Sequence, residues 1–364
     1  MKVLIAGGGT GGHLFPGIAL AEEITTRKKG NEVTFVGTER GLEATVVPKL
    51  GFELKLIEVS GLKRQGFVKT LKSLLRLPVS FFQAVKILRD FQPDIAIGVG
   101  GYASGPVILV ASLLGVPTAV LEQNTVPGIT NRILSRFVDR VFTTFTYSER
   151  FFPAKKVMEL GNPIRQKLLD NFLRSRKPTS PDDGFNILVL GGSQGAHSVN
   201  LRMLEAVSHL GELDQEIHIM HQTGHKDFEL VKDGYSQVGF SADVVAFIDD
   251  MSAAYRKADL IIARAGATTI SEIQIAKKAS ILIPFPYAAD NHQELNAQAM
   301  VEAGASMMMV ERNLDGPALA DSIRELYLDE DKLSKMEGAA SKAGRPEAAR
   351  EIIDACHELI QQRN

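Results

Sequence analysis

A histidine closes a loop built almost wholly of glycine, Gly7-Gly8-Gly9-Thr10-Gly11-Gly12-His13, directly after the apolar run Val3-Leu4-Ile5-Ala6. Glycine lets backbone N–H groups close on an anion, and a following helix adds unpaired amides and the positive end of its dipole. Imidazole titrates near neutrality, so His13 set there can take a proton from a hydroxyl held beside a bound phosphate. Two further loops repeat the device without the histidine. Gly98-Val99-Gly100-Gly101-Tyr102-Ala103-Ser104-Gly105-Pro106 follows Ile95-Ala96-Ile97, and Gly191-Gly192-Ser193-Gln194-Gly195-Ala196 follows Ile187-Leu188-Val189-Leu190. Three such loops imply two phosphate-bearing ligands, or one ligand held between two domains.

Other residues carry chemistry only in company. Ser193 adds a hydroxyl to the amides of the third loop, a set suited to a diphosphate, although a tight turn between strand and helix explains the glycines alone. Arg165, in Gly161-Asn162-Pro163-Ile164-Arg165, can neutralise negative charge; by itself it reads as a surface arginine. Arg264-Ala265-Gly266-Ala267-Thr268-Thr269-Ile270-Ser271-Glu272 is a small-residue turn opening a helix, which sets Glu272 about two turns in. A carboxylate there can clasp a ribose diol. Asp290-Asn291-His292-Gln293-Glu294-Leu295-Asn296-Ala297 starts an amide-rich helix, and amides suit sugar hydroxyls because they both donate and accept. Capping by Asp290 is the plainer reading.

The first loop also satisfies G-x-G-x-x-G literally, and Glu39 follows the second strand where a ribose-binding acid would stand in a dinucleotide site. A hydride-transfer enzyme is therefore a rival. No G-x-x-x-x-G-K-[ST] and no zinc-type Cys/His spacing occurs. Asp329-Glu330-Asp331 is formally D-x-D, but it lies in a charged helical stretch and reads as solvated surface. No metal and no cofactor is expected.

These residues must be positioned by alternating strands and helices. Short β-branched runs at Val3–Ala6, Val33–Val36, Ile95–Val99, Thr118–Leu121 and Val141–Thr143 alternate with helical patterns such as Leu14–Lys28 and Val107–Leu114, the sign of a parallel sheet covered on both faces. A polar stretch, Lys177 to Gly184, reads as a linker. The pattern then restarts at Ile187–Leu190, with a helix from Ala196 and strands at Glu216–Met220, Val244–Phe247, Leu260–Ala263, Ile281–Pro284 and Ser306–Val310. Two similar α/β halves imply a cleft between them. A last helix, about Pro346 to Gln362, lies outside both repeats.

At 364 residues the chain is long enough for two domains, and 45% hydrophobic with 23% charged residues is ordinary for a globular protein. No signal peptide or spanning segment is expected, and the one cysteine, Cys356, reads as packing in a cytoplasmic protein. The net charge of −2 hides an asymmetry: residues 1–160 hold 20 basic and 13 acidic side chains, the remainder 21 and 30. A positive N-terminal half suggests an anionic surface or partner there. From Gly61 to Asp90, Lys63, Arg64, Lys69, Lys72, Arg76, Lys86 and Arg89 interleave with Phe67, Leu71, Leu74, Leu75, Leu77, Phe81 and Phe82. That is an amphipathic helix with a basic face.

Taken together, GGGTGGHLFPGIALA, GVGGYASGP, LEQNTVPGITNR, GNPIR, LGGSQGA, RAGATTISE and DNHQELNA, in this order along nearly the whole chain, resemble the bacterial UDP-N-acetylglucosamine–lipid I N-acetylglucosaminyltransferases of peptidoglycan synthesis. The resemblance implies the GT-B fold: two Rossmann-like doubly wound α/β domains facing a cleft, with no metal in the chemical step. It implies an acceptor-binding, membrane-associating domain over 1–163, a UDP-GlcNAc-binding domain over 164–345, and a last helix (346–364) that returns to the first. Carried over by position, the backbone of Ile248 meets the uracil with Arg264 beside it, and Glu272 holds the ribose. Ser193, the third loop, Ala267, Thr268 and Thr269 hold the diphosphate, while Gln293 and Asn296 read the GlcNAc hydroxyls. Thr10, Gly11, Gly12 and Asn124 line the cleft near donor sugar and acceptor, with Arg165 near the donor, and the first two loops cradle the diphosphate of lipid I. His13 or Glu122 is the general base. Expected partners are UDP-GlcNAc, lipid I and the cytoplasmic face of an anionic membrane to which the enzyme is peripheral, with no nucleic acid. Two other readings stay open: the oxidoreductase, which leaves the third loop unexplained, and a docking protein that binds without turnover.

Overall fold

The computed structural model describes residues 1–59, 67–174, 184–192, 194–213 and 215–363, with side chains described for all of these except 67–77, 173 and 174. The chain divides into two compact units, Met1–Gln166 with Pro346–Asn364, and Lys167–Arg345.

The first unit runs β1 (Lys2–Gly7), α1 (Gly11–Arg27), β2 (Glu32–Gly37), α2 (Glu43–Lys49), β3 (Glu53–Leu56), α3 (Phe67–Phe91), β4 (Ile95–Gly100), α4 (Ser104–Leu113), β5 (Thr118–Glu122), α5 (Ile129–Leu134), β6 (Arg140–Thr143) and β7 (Val157–Glu159). Its strands form one parallel sheet in the order β3-β2-β1-β4-β5-β6-β7. Val3, Leu4, Ile5 and Ala6 are all fully buried. Helices cover both faces of a parallel sheet, so its central strands read as unbroken apolar runs instead of alternating ones. The chain leaves β1 toward β2 and later returns to β4 on the other side. The first two glycine loops follow these two neighbouring strands, where the topology switches direction and ligands of doubly wound sheets bind.

In the second unit, α6 (Gln166–Arg174) precedes β8 (Phe185–Leu190), α7 (His197–Val207), β9 (Ile217–Gln222), α8 (Phe228–Val238), β10 (Ala242–Val245), α9 (Met251–Lys257), β11 (Leu260–Ala263), α10 (Ala267–Ala276), β12 (Ala279–Leu282), α11 (His292–Glu302), β13 (Ser306–Met308), α12 (Gly316–Leu328) and α13 (Glu330–Ala343). The parallel order β10-β9-β8-β11-β12-β13 repeats the switch. The third glycine loop follows β8, and the Arg264–Gly266 turn follows its neighbour β11.

The last helix, α14 (Ala348–Arg363), packs on α1 in the first unit. Ile352, Ile353, Cys356 and Leu359 enter the same core as Val3, Ile5 and Leu14. Arg27 binds Asp354 at 2.5 Å, and Arg363 binds Asp139. Burial pushes the Cys356 thiol up to about 12, which makes it an apolar filler and no nucleophile at neutral pH.

Three details go beyond the apolar patterning. Strands β3 and β7 sit at opposite sheet edges and are only partly covered, so their sequences lack the buried-strand signature. In Asp329-Glu330-Asp331, Asp329 caps α13 by accepting from the Lys332 N–H at 2.8 Å. The stretch read as a linker lies, except for Gly184, outside the described residues.

Candidate functional site

In the first unit the glycine loop is locked by a carboxylate that sequence reading did not single out. Glu43, at the start of α2 and 1% exposed, accepts from the Gly9 N–H (2.6 Å), the Thr38 N–H (2.9 Å) and the Thr38 hydroxyl (3.0 Å). Charge-assisted bonds of this kind are worth about 1.5–3 kcal/mol each. An internal anion thus already sits on the first half of the loop. The first bonds of α1 are those of the His13 and Leu14 N–H groups to the Thr10 carbonyl, so the Gly11 and Gly12 amides precede them and remain for a ligand. Glu39 is exposed in the turn after β2.

His13 is half-buried, and its Nδ1 lies 3.1 Å from Oε1 of Gln123. Gln123 is 1% exposed and donates through Nε2 to the Val99 carbonyl at 3.0 Å. The ring fits because residue 100 is glycine at φ +96°: a Cβ there would lie 2.6 Å from Nδ1.

Glu122, at the end of β5, is also 1% exposed. Its carboxylate accepts from the Asn124 N–H (3.0 Å), the Gly128 N–H (3.2 Å) and Asn131 Nδ2 (2.9 Å). Burial pushes its pKa above the usual carboxylate range, opposed by the Asn124 amide, Asn131, nearby His13 and the Gly128 amide. Its oxygens are occupied in pinning the loop that carries Asn124, which is itself half-buried. Arg165 falls in the first unit, its guanidinium 4.9 Å from the centre of the Phe15 ring, beside Glu22.

At the sheet end of the second unit, the histidine that follows the glycine loop, His197, is exposed, and its Nδ1 lies 3.1 Å from both carboxylate oxygens of Asp227. Gly195 has φ +77°, and a Cβ there would collide with the Thr223 carbonyl, so the third loop is interlocked with the strand end after β9. Gln222, 4% exposed, donates to the Gly192 carbonyl (2.9 Å) and accepts from the Ile248 N–H (3.0 Å). The Ile248 N–H is therefore already committed within the unit. Ser193 lies outside the described residues.

Arg264, expected beside the uracil, is 9% exposed. Its guanidinium donates to the Ile283 and Pro284 carbonyls (3.2 and 3.1 Å) and to the Ser198 hydroxyl (2.8 Å), and pairs with Glu311 at 2.6 Å. These bonds tie together the chain after β11, the chain after β12 and the start of α7. Gly266 caps α10, whose first turn is Ala267, Thr268 and Thr269. The Thr268 hydroxyl is buried without a hydrogen-bond partner. Glu272 is half-buried and accepts from the Tyr255 hydroxyl at 3.0 Å; burial first, and Glu272 second, hold that phenol well above its ordinary range.

Gln293 is half-buried at the start of α11 and accepts from the Phe285 N–H at 2.9 Å. Asp290 and Asn291 just before it take left-handed backbone (φ +53° and +54°), which holds local strain. The residue at the cap position of α11 is Asn291, one after Asp290. His292 is turned back to the Ala289 carbonyl at 2.7 Å. Asn296 is fully buried and donates to the Ala265 carbonyl at 3.1 Å, so in this structure it braces the turn before α10 and has no exposed surface to offer a sugar. Among the described residues no group of His, Cys, Asp and Glu is arranged to hold a metal ion.

The comparisons with known proteins agree with this duplication. Residues 3–143 match the glycosyltransferase family 28 N-terminal domain, and residues 186–352 match the glycosyltransferase family 28 C-terminal domain. The chain is 55% identical over its full length, and 94% of the relative's, to a UDP-N-acetylglucosamine–N-acetylmuramyl-(pentapeptide) pyrophosphoryl-undecaprenol N-acetylglucosamine transferase of Myxococcus xanthus. It is 50% identical to the protein of the same name from Syntrophus aciditrophicus, covering 99% of each chain. A crystal structure of Acinetobacter baumannii MurG superposes with a TM-score of 0.80 at 29% identity, covering 98% of this chain and 99% of that one.

Proposed function

This chain belongs to the UDP-N-acetylglucosamine–N-acetylmuramyl-(pentapeptide) pyrophosphoryl-undecaprenol N-acetylglucosamine transferases of glycosyltransferase family 28, and on that premise we propose how its residues divide the reaction. The enzyme transfers N-acetylglucosamine from UDP-GlcNAc to the 4-hydroxyl of the MurNAc of lipid I, with inversion, and so forms lipid II. The full-length match carries the activity.

The second unit takes the donor. The observation that supports this most is the start of α10, where a buried, unpartnered Thr268 hydroxyl stands among the first-turn amides of Ala267, Thr268 and Thr269. A diphosphate satisfies those donors and gains the helix dipole. Glu272 takes the ribose diol, the Ile248 carbonyl the uracil N3–H, and Gln293 the sugar hydroxyls, with Ser193 added to the diphosphate contacts. Arg264 and Asn296 act from behind, holding the loops in place. Arg165, near the donor by family position, offsets charge on the leaving group.

The first unit takes the acceptor at Thr10, Gly11, Gly12 and Asn124. His13 removes the proton from the 4-hydroxyl as its oxygen attacks the anomeric carbon. The bond to UDP breaks on the opposite face, which gives inversion in one displacement. Glu122 serves better as the anchor of its loop than as a base, because four donors already share its two oxygens. UDP release from UDP-GlcNAc, measured with and without a lipid I analogue, tests the whole reading. Release should require the acceptor, and stabilisation of the fold by NADH but not by UDP-GlcNAc would overturn it.

The polyprenyl acceptor calls for a membrane-docking face on the first unit. No helix among the described residues is long and apolar enough to cross a bilayer. Lys69, Lys72 and Arg76, expected at the docking face, have side chains outside the described residues, but farther along α3 Phe82 is 77% exposed and is followed by exposed Lys86 and Arg89. Leu113 at the end of α4, and Ile129 and Ile133 on α5, are exposed as well. Apolar tips insert and basic groups add about 1 kcal/mol each at an anionic leaflet. Sedimentation with phosphatidylglycerol vesicles should therefore be reversible and salt-sensitive. It should be lost when Lys69, Lys72 and Arg76 become Glu, while a soluble short-chain acceptor is still turned over. Equal sedimentation of the triple variant at low salt would refute this face.

A further inference from the structure

We infer that Gln123 is a positioning residue that fixes the tautomer of His13, placing the ring proton on Nδ1 and the basic lone pair on Nε2. The inference rests on the reading of His13 as the base and adds what makes it one. A backbone carbonyl only accepts, so the Val99 oxygen requires the NH2 of the Gln123 amide, and the 3.0 Å contact fixes which way round that amide stands. Its oxygen is then left facing His13 Nδ1 at 3.1 Å. An amide oxygen cannot donate, so Nδ1 must, and the neutral ring carries its lone pair on Nε2.

Gly100 closes the argument from the other side. With φ +96° and no side chain it lets the ring lie against the strand end, whereas a Cβ would come within 2.6 Å of Nδ1. The ring is thus held by a bond at one edge and by contact on the same side, and Gln123 itself is buried and fixed. A glutamine does this without bringing a charge: it selects the basic nitrogen and adds no carboxylate to the negative diphosphates that both substrates carry.

The test uses the full-length enzyme with 15N-labelled histidine at a pH above the imidazole titration, the His13 signals being identified by their loss in His13→Gln. In the wild type Nδ1 should have the shift of a protonated nitrogen and Nε2 that of an unprotonated one. In Gln123→Met, of similar size, the two shifts should move toward a mixture of tautomers. kcat should fall ten- to about a hundredfold while the KM for UDP-GlcNAc stays unchanged. Gln123→Glu keeps an acceptor opposite Nδ1 and should retain the wild-type ring shifts. An unprotonated Nδ1 in the wild type, or ring shifts that Gln123→Met leaves untouched, would overturn the inference. If the shifts behave as expected but His13→Gln retains more than a tenth of wild-type kcat, the tautomer assignment stands and the reading of His13 as the base is what fails.

Discussion

Each unit braces a glycine loop with a buried glutamine, and the two glutamines differ in what they spend their oxygen on. Gln123 accepts from a histidine ring; Gln222 accepts from the backbone N–H of Ile248. Each donates to a backbone carbonyl of its glycine loop. On the proposed reading one backbone device serves two chemistries: the first unit holds a group that can gain a proton, the second holds fixed dipoles for a leaving group. The histidines repeat the contrast. His221 of the second unit is fully buried, with Tyr235 on Nδ1 and Asn200 on Nε2, both at 3.0 Å. Burial lowers its pKa to about 3, against a weaker upward pull from Asp227. His13 keeps partial exposure and commits one nitrogen to Gln123. A histidine does proton chemistry only when the fold leaves a nitrogen to do it.

The sharpest break in this comparison is His13→Ala. It should lower kcat by about 10²–10⁴-fold with the donor KM held, read from initial rates of UDP release. A loss under tenfold would move the base elsewhere, with Glu122→Gln as the next variant. Glu272→Ala should do the reverse, raising the donor KM roughly ten- to a hundredfold with a smaller effect on kcat, as for a hydrogen bond to a charged group worth about 1.5–3 kcal/mol. If both variants moved the same parameter, the division between proton-handling and dipole-holding units would be lost.

A milder contrast comes from Gln222→Met. It removes a neutral brace, so the donor KM should rise by about fivefold, the scale of one ordinary hydrogen bond, and the nitrogen shifts of His13 should stay where they were. A separate effect is on stability. Below the unfolded imidazole value of 6.5, the unfolded chain binds a proton that buried His221 refuses until about pH 3. The unfolded state then holds more protons, so stability is full above about 6.5 and falls with pH across that window. Urea unfolding at a series of pH values should give a shallower decline in His221→Gln than in the wild type; parallel curves would mean that this ring does not stay neutral in the fold.

Much of this was legible in the chain itself. Apolar runs announce buried parallel strands because neighbours in sequence share the burial that produces them. Glycine loops announce the switch points because only glycine tolerates those backbone turns, and the duplication of strand, loop and helix announces two units. The motifs in their order carry the family. Tertiary structure decided the rest, chiefly polar pairings between residues far apart. Glu43 reaches Gly9 across 34 positions and Gln123 reaches His13 across 110, and no local pattern encodes either. The sheet order decides them, setting β1 beside β4 and β4 beside β5 so that three strand ends meet. Burial likewise sets the Asn296 amide against the Ala265 carbonyl, since what an amide faces depends on what packs over it. The packing of α14 on the first unit has the same cause: an amphipathic helix specifies that one face will be covered, and only the assembled core, with Leu14 and Ile353 in one cluster, specifies by what.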